Sequence, residues 1–272
     1  MSLIHYPKTP LPVGATPQDL SGTTNLGFYL DEATQRYVPG TRGITWDGRV
    51  FKYAKSRSAA LLSGYGAHND SIAVNISVTG ATVTAGDLSS VLVFASGDGV
   101  DAGGVCADGE LIGGYWVTGH GASTVQNRCI EDTDGVGITG AGGNITLYFD
   151  GPVSDTLATP FTEVVLNPYR YLVRQSAADG YASVMGVPAC NVTAASYCWI
   201  QSWGPCWVTP GGSDASPGDT FHDRTAIFVG DGSVNFVKNS TLENGYQIAG
   251  FCIDETASGT SALPLVMLQI SI

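Results

Sequence analysis

Polar and apolar positions alternate over short stretches along the chain, and the punctuation between them is glycine-rich. Arg49-Val50-Phe51-Lys52-Tyr53 alternates in strand fashion directly behind Asp47-Gly48, a pair suited to a type I′ turn, so the segment predicts a hairpin. Strands are expected over Arg49 to Lys55, Ile72 to Thr79, Val91 to Ala95, Tyr115 to Thr118, Thr124 to Ile130 and Asn144 to Phe149. Turn clusters such as Ser96-Gly97-Asp98-Gly99 and Gly140-Ala141-Gly142-Gly143 separate them. One brief helix is expected over Ser56 to Leu62. Short strands at this spacing predict an all-β fold, a sandwich or barrel of short antiparallel strands with an extended N-terminal arm, in one body or two β subdomains.

Three tracts depart from this rhythm. Residues 1 to 45 carry Pro7, Pro10, Pro12, Pro17 and Pro39, which fix φ and remove donors, and they read as an extended arm able to lie on a neighbour's surface. A seam near Thr156 to Phe161 divides the remainder into a first β region, 46 to 155, and a second, 156 to 272. In the second, Trp199, Trp203 and Trp207 recur at steps of four, while Gly204-Pro205 breaks any helix. They are expected at a strand-turn-strand corner, packed in the core or presented as a contact surface. The last strand, Pro264 to Ile272, is too apolar to hang free, and should pair inside a sheet or against another subunit.

Charged residues make up 13% of the chain, about half the roughly 25% of an average domain, which leaves large areas of surface to neutral side chains. The formal net charge of −12 comes from 24 acids against 12 bases, and no basic stripe stands out along the sequence, so no nucleic-acid partner is expected. The start, MSLIHYPKTPLPVG, lacks the features of a secretory signal, and no apolar run approaches membrane-spanning length, so neither export nor a membrane partner is expected. Cys106, Cys129, Cys190, Cys198, Cys206 and Cys252 are too widely spaced for a zinc site and read as buried free thiols. The even steps from Cys190 to Cys198 to Cys206 would suit one strand face, but Pro205 argues against a continuous strand there.

No enzyme motif accompanies the four histidines, His5, His68, His120 and His222; His120 among glycines reads as a solvated loop residue. Asp132-Thr133-Asp134-Gly135 begins like a calcium loop without the later ligands, and reads as a surface turn. The chain is expected not to be an enzyme, and no metal or cofactor is expected. A glycosidase, whose two carboxylates need no sequence proximity, stays as a remote alternative.

Trp46-Asp47-Gly48-Arg49 with Phe51-Lys52-Tyr53-Ala54-Lys55, then Pro168-Tyr169, then Tyr197-Cys198-Trp199-Ile200-Gln201-Ser202-Trp203-Gly204-Pro205, resemble segments of the capsid decoration, or cement, proteins of tailed bacteriophages. The resemblance covers 42 to 66 and 165 to 272, closed by Ala249-Gly250 and the apolar last strand. It implies a virion protein, made in the host cytoplasm, that sits on the capsid exterior. Its partners would be the major capsid protein and copies of itself, as a homotrimer on the shell. Trp46, Arg49, Tyr53, Trp199, Trp203 and Trp207 are the expected subunit or capsid contacts. A sugar-binding head-fibre or tail-associated module is the main alternative.

Overall fold

The computed structural model describes residues 27–45, 47–69, 75–80, 82–96, 105–120, 125–135, 137–157, 161–176, 183–211, 224–237, 247–254 and 264–270, with 75–80, 119–120 and 161 described by backbone alone. Sixteen strands and no helix occur among these residues, as an all-β fold requires. In chain order they are β1 (Arg42–Ile44), β2 (Val50–Lys55), β3 (Ala67–Asn69), β4 (Asn75–Gly80), β5 (Ser89–Phe94), β6 (Tyr115–His120), β7 (Gln126–Thr133) and β8 (Gly143–Phe149). There follow β9 (Phe161–Val165), β10 (Leu172–Arg174), β11 (Val184–Pro188), β12 (Tyr197–Trp207), β13 (Thr225–Phe228), β14 (Val234–Phe236), β15 (Ile248–Asp254) and β16 (Leu265–Gln269).

Contacts gather into two units, and the division differs from the serial one expected near 156. Met1–Asp70 and Tyr169–Ile272 form the first unit, while Ser71–Pro168 forms the second, inserted between β3 and β10. The physical reason is the pairing of β3 with β10, where Asn69 opposes Leu172 and Ala67 opposes Arg174. Strands on either side of the insertion thus belong to one sheet.

The first unit is built on a ten-stranded antiparallel sheet ordered β10-β3-β11-β12-β16-β15-β13-β14, with β2 also on β12 and β1 on β2. Strand β16 lies between β12 and β15, so the apolar last strand does pair inside a sheet. One face buries Val266, Leu268, Cys252, Ala226, Phe228, Val234 and Val208. A second cluster gathers Ala54, Leu61, Ala67, Leu172, Cys198 and Ile200, and a third is aromatic: Phe28, Phe51, Tyr53, Tyr197 and Trp199.

The second unit closes into a six-stranded barrel, β4-β5-β8-β7-β6-β9. Alternation is regular along β5 and β8: Ser90, Leu92 and Phe94 on β5, and Ile145, Leu147 and Phe149 on β8, are buried, while Val91, Val93 and Tyr148 face out. Trp116 packs at a tilt against Phe149 with ring centroids 4.7 Å apart, and the Thr118 and Thr162 hydroxyls bond at 3.1 Å. A barrel this narrow is filled by its own side chains.

Several local expectations change. The hairpin turn joins Thr45 to Arg49: the Gly48 N–H donates to the Thr45 carbonyl at 2.9 Å, and the Thr45 N–H to the Arg49 carbonyl at 3.0 Å. Gly48 has φ +84°, the left-handed residue of a three-residue hairpin loop rather than part of a two-residue type I′ turn. Ser56 to Leu62 is not helical. Ser56 is fully buried, its hydroxyl donating to the Thr193 carbonyl at 2.9 Å, and Leu61 bridges Val192, so tertiary bonds hold the segment extended. The stretch from 27 to 45, expected in an arm over a neighbour, packs on its own chain instead. Phe28 is 0% exposed and stacks on Phe51 at 4.3 Å, Glu32 bridges Tyr197, and β1 pairs with β2. Residues 1–26 of the expected arm lie outside the described residues.

Candidate interaction surfaces

Strand β12 organises the expected contact residues and separates them. It runs unbroken through Gly204-Pro205, because Gly204 takes φ +93° and a bulge between Gln201 and Trp203 adds the twist that a turn would have supplied. The Gln201 amide braces this bulge, donating to the carbonyls of Trp203 at 3.1 Å, Gly204 at 3.2 Å and Pro205 at 2.9 Å. Cys198 and Cys206 therefore do share one strand, contrary to the expectation from Pro205.

The three tryptophans have three different environments. Trp199 is 4% exposed within the aromatic cluster, edge-on to Phe28 at 5.0 Å and to Tyr53 at 5.2 Å. Trp203 is half-buried beyond the bulge, and Trp207 is 49% exposed. Tyr53 is fully buried. Its hydroxyl donates to Glu32 Oε1 at 2.8 Å and accepts the Arg36 N–H at 3.1 Å, and Glu32 in turn pairs with the Arg36 guanidinium. Burial, then Glu32, pushes the Tyr53 phenol above the ordinary tyrosine range. Tyr53 and Trp199 are thus core residues and offer nothing to a partner.

Arg49 is half-buried and committed within its own hairpin. Its Nε donates to Asp47 Oδ2 at 2.8 Å and its Nη1 to the Tyr29 hydroxyl at 2.7 Å, while its guanidinium lies 5.7 Å from the Phe51 ring centroid. Burial works against its charge, but Tyr29 and Asp47 outweigh it and hold the guanidinium protonated. Trp46 lies outside the described residues.

What the sheet does present is a neutral apolar face opposite its main core. Gly204, Cys206, Val266, Leu268 and Cys252 turn inward, so register places Trp203, Pro205 and Trp207 on the other side with Leu265, Met267 and Phe251. Pro205, Met267 and Phe251 form one cross-strand row, and Trp207 with Leu265 the next, ending at Asp254. Phe251 is 44% exposed, and Ile253 stands out at the bulge between Cys252 and Asp254. Sequence reasoning named Trp203 and Trp207 but missed Met267 and Phe251, whose alternation with buried Val266, Leu268 and Cys252 is the signal that could have found them.

A second surface carries charge. Arg42, Arg49, Lys52, Lys55 and Arg57 lie within sixteen residues that hold a single acid, Asp47, so a basic stretch does exist in this acidic chain. The ammonium of Lys52 sits 5.8 Å from the Tyr169 ring centroid, and that of Lys55 5.2 Å from Tyr197 and 5.5 Å from Tyr171. Tyr171 holds a left-handed φ of 62°, which is unusual for so bulky a residue.

Other candidates carry less. The depression beside Arg128 and Asp150 has both side chains committed to backbone: Arg128 Nε donates to the Pro152 carbonyl at 2.9 Å, and Asp150 Oδ1 accepts the Cys129 N–H at 3.0 Å. Asp134 accepts the Thr146 N–H at 3.0 Å, as a surface turn would. His68 is buried on β3, the side chain of His120 is not described, and His5 and His222 lie outside the described residues. Among the described residues no group of three or more His, Cys, Asp or Glu is placed to hold a metal, and no helix is long and apolar enough to cross a membrane. All six cysteines are free thiols.

No protein family, curated protein or solved structure matches the chain.

Proposed function

We propose that this chain is a structural virion protein that binds the outside of a phage capsid shell and stabilises it, with copies meeting as a trimer at local threefold positions of the lattice. The neutral apolar face of β12, β16 and β15 carries the reading. Trp207 on β12 and Phe251 on β15 are each about half exposed in adjacent cross-strand rows of one sheet face, with Met267 and Leu265 of β16 between them and Pro205 beside Trp207. Half of two aromatic side chains that bury roughly 150–250 Å² each is about 150–250 Å², and the aliphatic neighbours extend it toward the few hundred Å² that mark an interaction site. Copies of a chain with net charge −12 repel one another. A face whose centre lacks charge is where they, or a capsid subunit, can approach at least electrostatic cost.

The role is one of binding, and its chemistry is apolar burial with a polar rim. Occupying a lattice of sites stabilises the shell by mass action, so the expected result is co-sedimentation with expanded shells at micromolar concentration and a raised shell disruption temperature. Trp207→Ser with Phe251→Ser should abolish both while leaving the circular dichroism spectrum unchanged. Protein that stays in the supernatant, or a double variant that binds as well as the parent, refutes the proposal. Retention on a glycan array by the same face would favour the sugar-binding alternative.

A further inference from the structure

Among the described residues strand β1 is an open edge flanked by two cations that no carboxylate offsets, and we propose that it docks an extended acidic segment of a partner protein, which adds to the sheet as a further strand. Strand β1 pairs with β2 alone among the described residues. The Tyr53 N–H donates to the Thr41 carbonyl at 2.8 Å and the Thr45 N–H to the Arg49 carbonyl at 3.0 Å. By antiparallel alternation, Thr41, Gly43 and Thr45 therefore turn their backbone groups toward β2, and Arg42 and Ile44 turn theirs outward. Those outward N–H and C=O groups are the template that strand addition uses.

The same register makes Arg42 and Lys52 a non-hydrogen-bonded cross-strand pair, the geometry in which opposing side chains come closest. Like charges directly opposed across strands are destabilising. No salt bridge relieves either one among the described residues. Burial, then the Arg42 guanidinium, holds the Lys52 ammonium below the ordinary lysine range. Underneath, the edge is rigid. Gly43 is packed so tightly that a Cβ there would lie 2.6 Å from the Phe28 ring, so the strand is held ready for a partner instead of ordering on binding.

Two features choose the occupant. An open strand edge is satisfied by another backbone with N–H and C=O groups, which a polypeptide has and a nucleic acid lacks. A pair of cations on a body of net charge −12 selects a local carboxylate over a long polyanion. A short charged edge strand also guards against aggregation. That role alone would not need a second cation at Lys52, one strand in from the edge and without a carboxylate partner among the described residues. The inference is independent of the virion reading.

The probe is a blocked peptide of alternating Glu and Val, followed by fluorescence anisotropy and by amide hydrogen exchange at Arg42 and Ile44. Comparison probes are the Lys–Val analogue, a Glu–Val analogue N-methylated along one edge, inorganic phosphate and a thymidine oligonucleotide. The expected result is saturable binding of the Glu–Val peptide alone, weakened tenfold or more in Arg42→Glu and in Lys52→Glu, with slowed exchange at Arg42 and Ile44. Arg42→Thr with Lys52→Thr provides a neutral pair if either reversal fails to fold. Equal binding by parent and variants, binding of the N-methylated peptide, or oligonucleotide or phosphate binding of similar strength would overturn the proposal. So would variants that self-associate from a parent that binds no peptide, since the cations would then only guard the edge.

Discussion

Replacing Phe28 with alanine tests whether the segment before β1 belongs to the body of the first unit. The side chain is 0% exposed, stacks on Phe51 at 4.3 Å with an interplanar angle of 18°, and meets the edge of Trp199 at 5.0 Å. Truncating a fully buried phenylalanine costs about 3–5 kcal/mol, the transfer free energy of the lost ring atoms plus the cavity left behind. Collapse of the site is hindered because Gly43 and the rings of Phe51 and Trp199 border it, and each already packs against other neighbours, so the upper half of that range is expected. For a unit of this size the shift in midpoint temperature is roughly 2–4 °C per kcal/mol, or about 8–20 °C at 4–5 kcal/mol. Because the chain forms two units, a single global transition is not assumed. Hydrogen exchange followed by peptide would show lowered protection in β2 and β12 with the barrel strands β5 and β8 unaffected. The Phe28→Ala, Phe51→Ala double variant should cost less than the sum of the singles, since both empty one stack. If Phe28→Ala shifts stability by no more than about 0.5 kcal/mol, the value typical of an exposed site, residues 27 to 45 do not form part of the core.

Tyr53→Phe should cost about 1.5–3 kcal/mol, the range for a hydrogen bond to a charged group, and more than Tyr197→Phe, whose hydroxyl donates to the neutral Gln35 side chain at 3.0 Å. Alkaline titration should destabilise the first unit. Burial raises the thiol of Cys190 to about 11 and that of Cys206 to about 12 from 9.0, and raises the Tyr53 phenol above 10.0, so these groups ionise first in the unfolded chain. Stability is therefore whole below about pH 9 and declines above it, with a slope approaching roughly 1.4 kcal/mol per pH unit for each such group; denaturant midpoints that are level from pH 8 to 11 would refute this. Gly250→Ala should break the β15–β16 pairing, because a Cβ there falls 1.8 Å from the Met267 carbonyl oxygen at φ +147°; a loss of less than about 1 kcal/mol by chemical denaturation, the scale of a simple helix or strand glycine effect, would contradict that contact. Excising residues 71–168 and joining the ends by a short glycine-serine linker should leave the first unit folded, since β3 and β10 hold the two ends on paired strands; loss of cooperative unfolding in the shortened chain would show that the sheet needs the insertion.

Alternation and turn chemistry made the strands legible, and these signals are local. Val50–Lys55, Ser89–Phe94 and Gly143–Phe149 all lie within a residue or two of the expected spans; in the last two one face is buried and the period of two survives in the sequence, while Val50–Lys55, buried on both faces, was marked by the Asp47-Gly48 turn before it. What proline and glycine content could not reveal is where such residues have been accommodated. Pro39 and Gly40 sit in a turn whose Gly40 N–H donates to the Tyr53 carbonyl at 2.7 Å, so the same residues that suggested a loose arm bend the chain onto its own sheet. Pro205 is carried in a strand because it opposes Met267 as a non-hydrogen-bonded pair, so its missing N–H costs the β16 ladder nothing, and its carbonyl accepts from the Gln201 side chain, a partnership invisible to any window of propensity. The nested order was hidden for a related reason. A seam in composition near 156 marks a loop, whereas a unit boundary is set by which strands pair, and β3 with β10 pair across about a hundred intervening residues.

The apolar face and the basic edge were half legible, for opposite reasons. Trp207 drew notice as a rare residue, but Met267 and Phe251 join it only through the register of three strands that are far apart in sequence. The cations between 42 and 57 are adjacent in sequence and were obscured by the acidic total, since a net charge averages over the chain while a partner meets one edge at a time. The two surfaces also ask for different partners. Apolar contact on β12, β16 and β15 weakens little with salt, whereas a carboxylate against Arg42 and Lys52 is screened within about 8–10 Å at moderate ionic strength. Raising salt should therefore release the edge partner first and leave the apolar face engaged, which separates the two modes of attachment in a single titration.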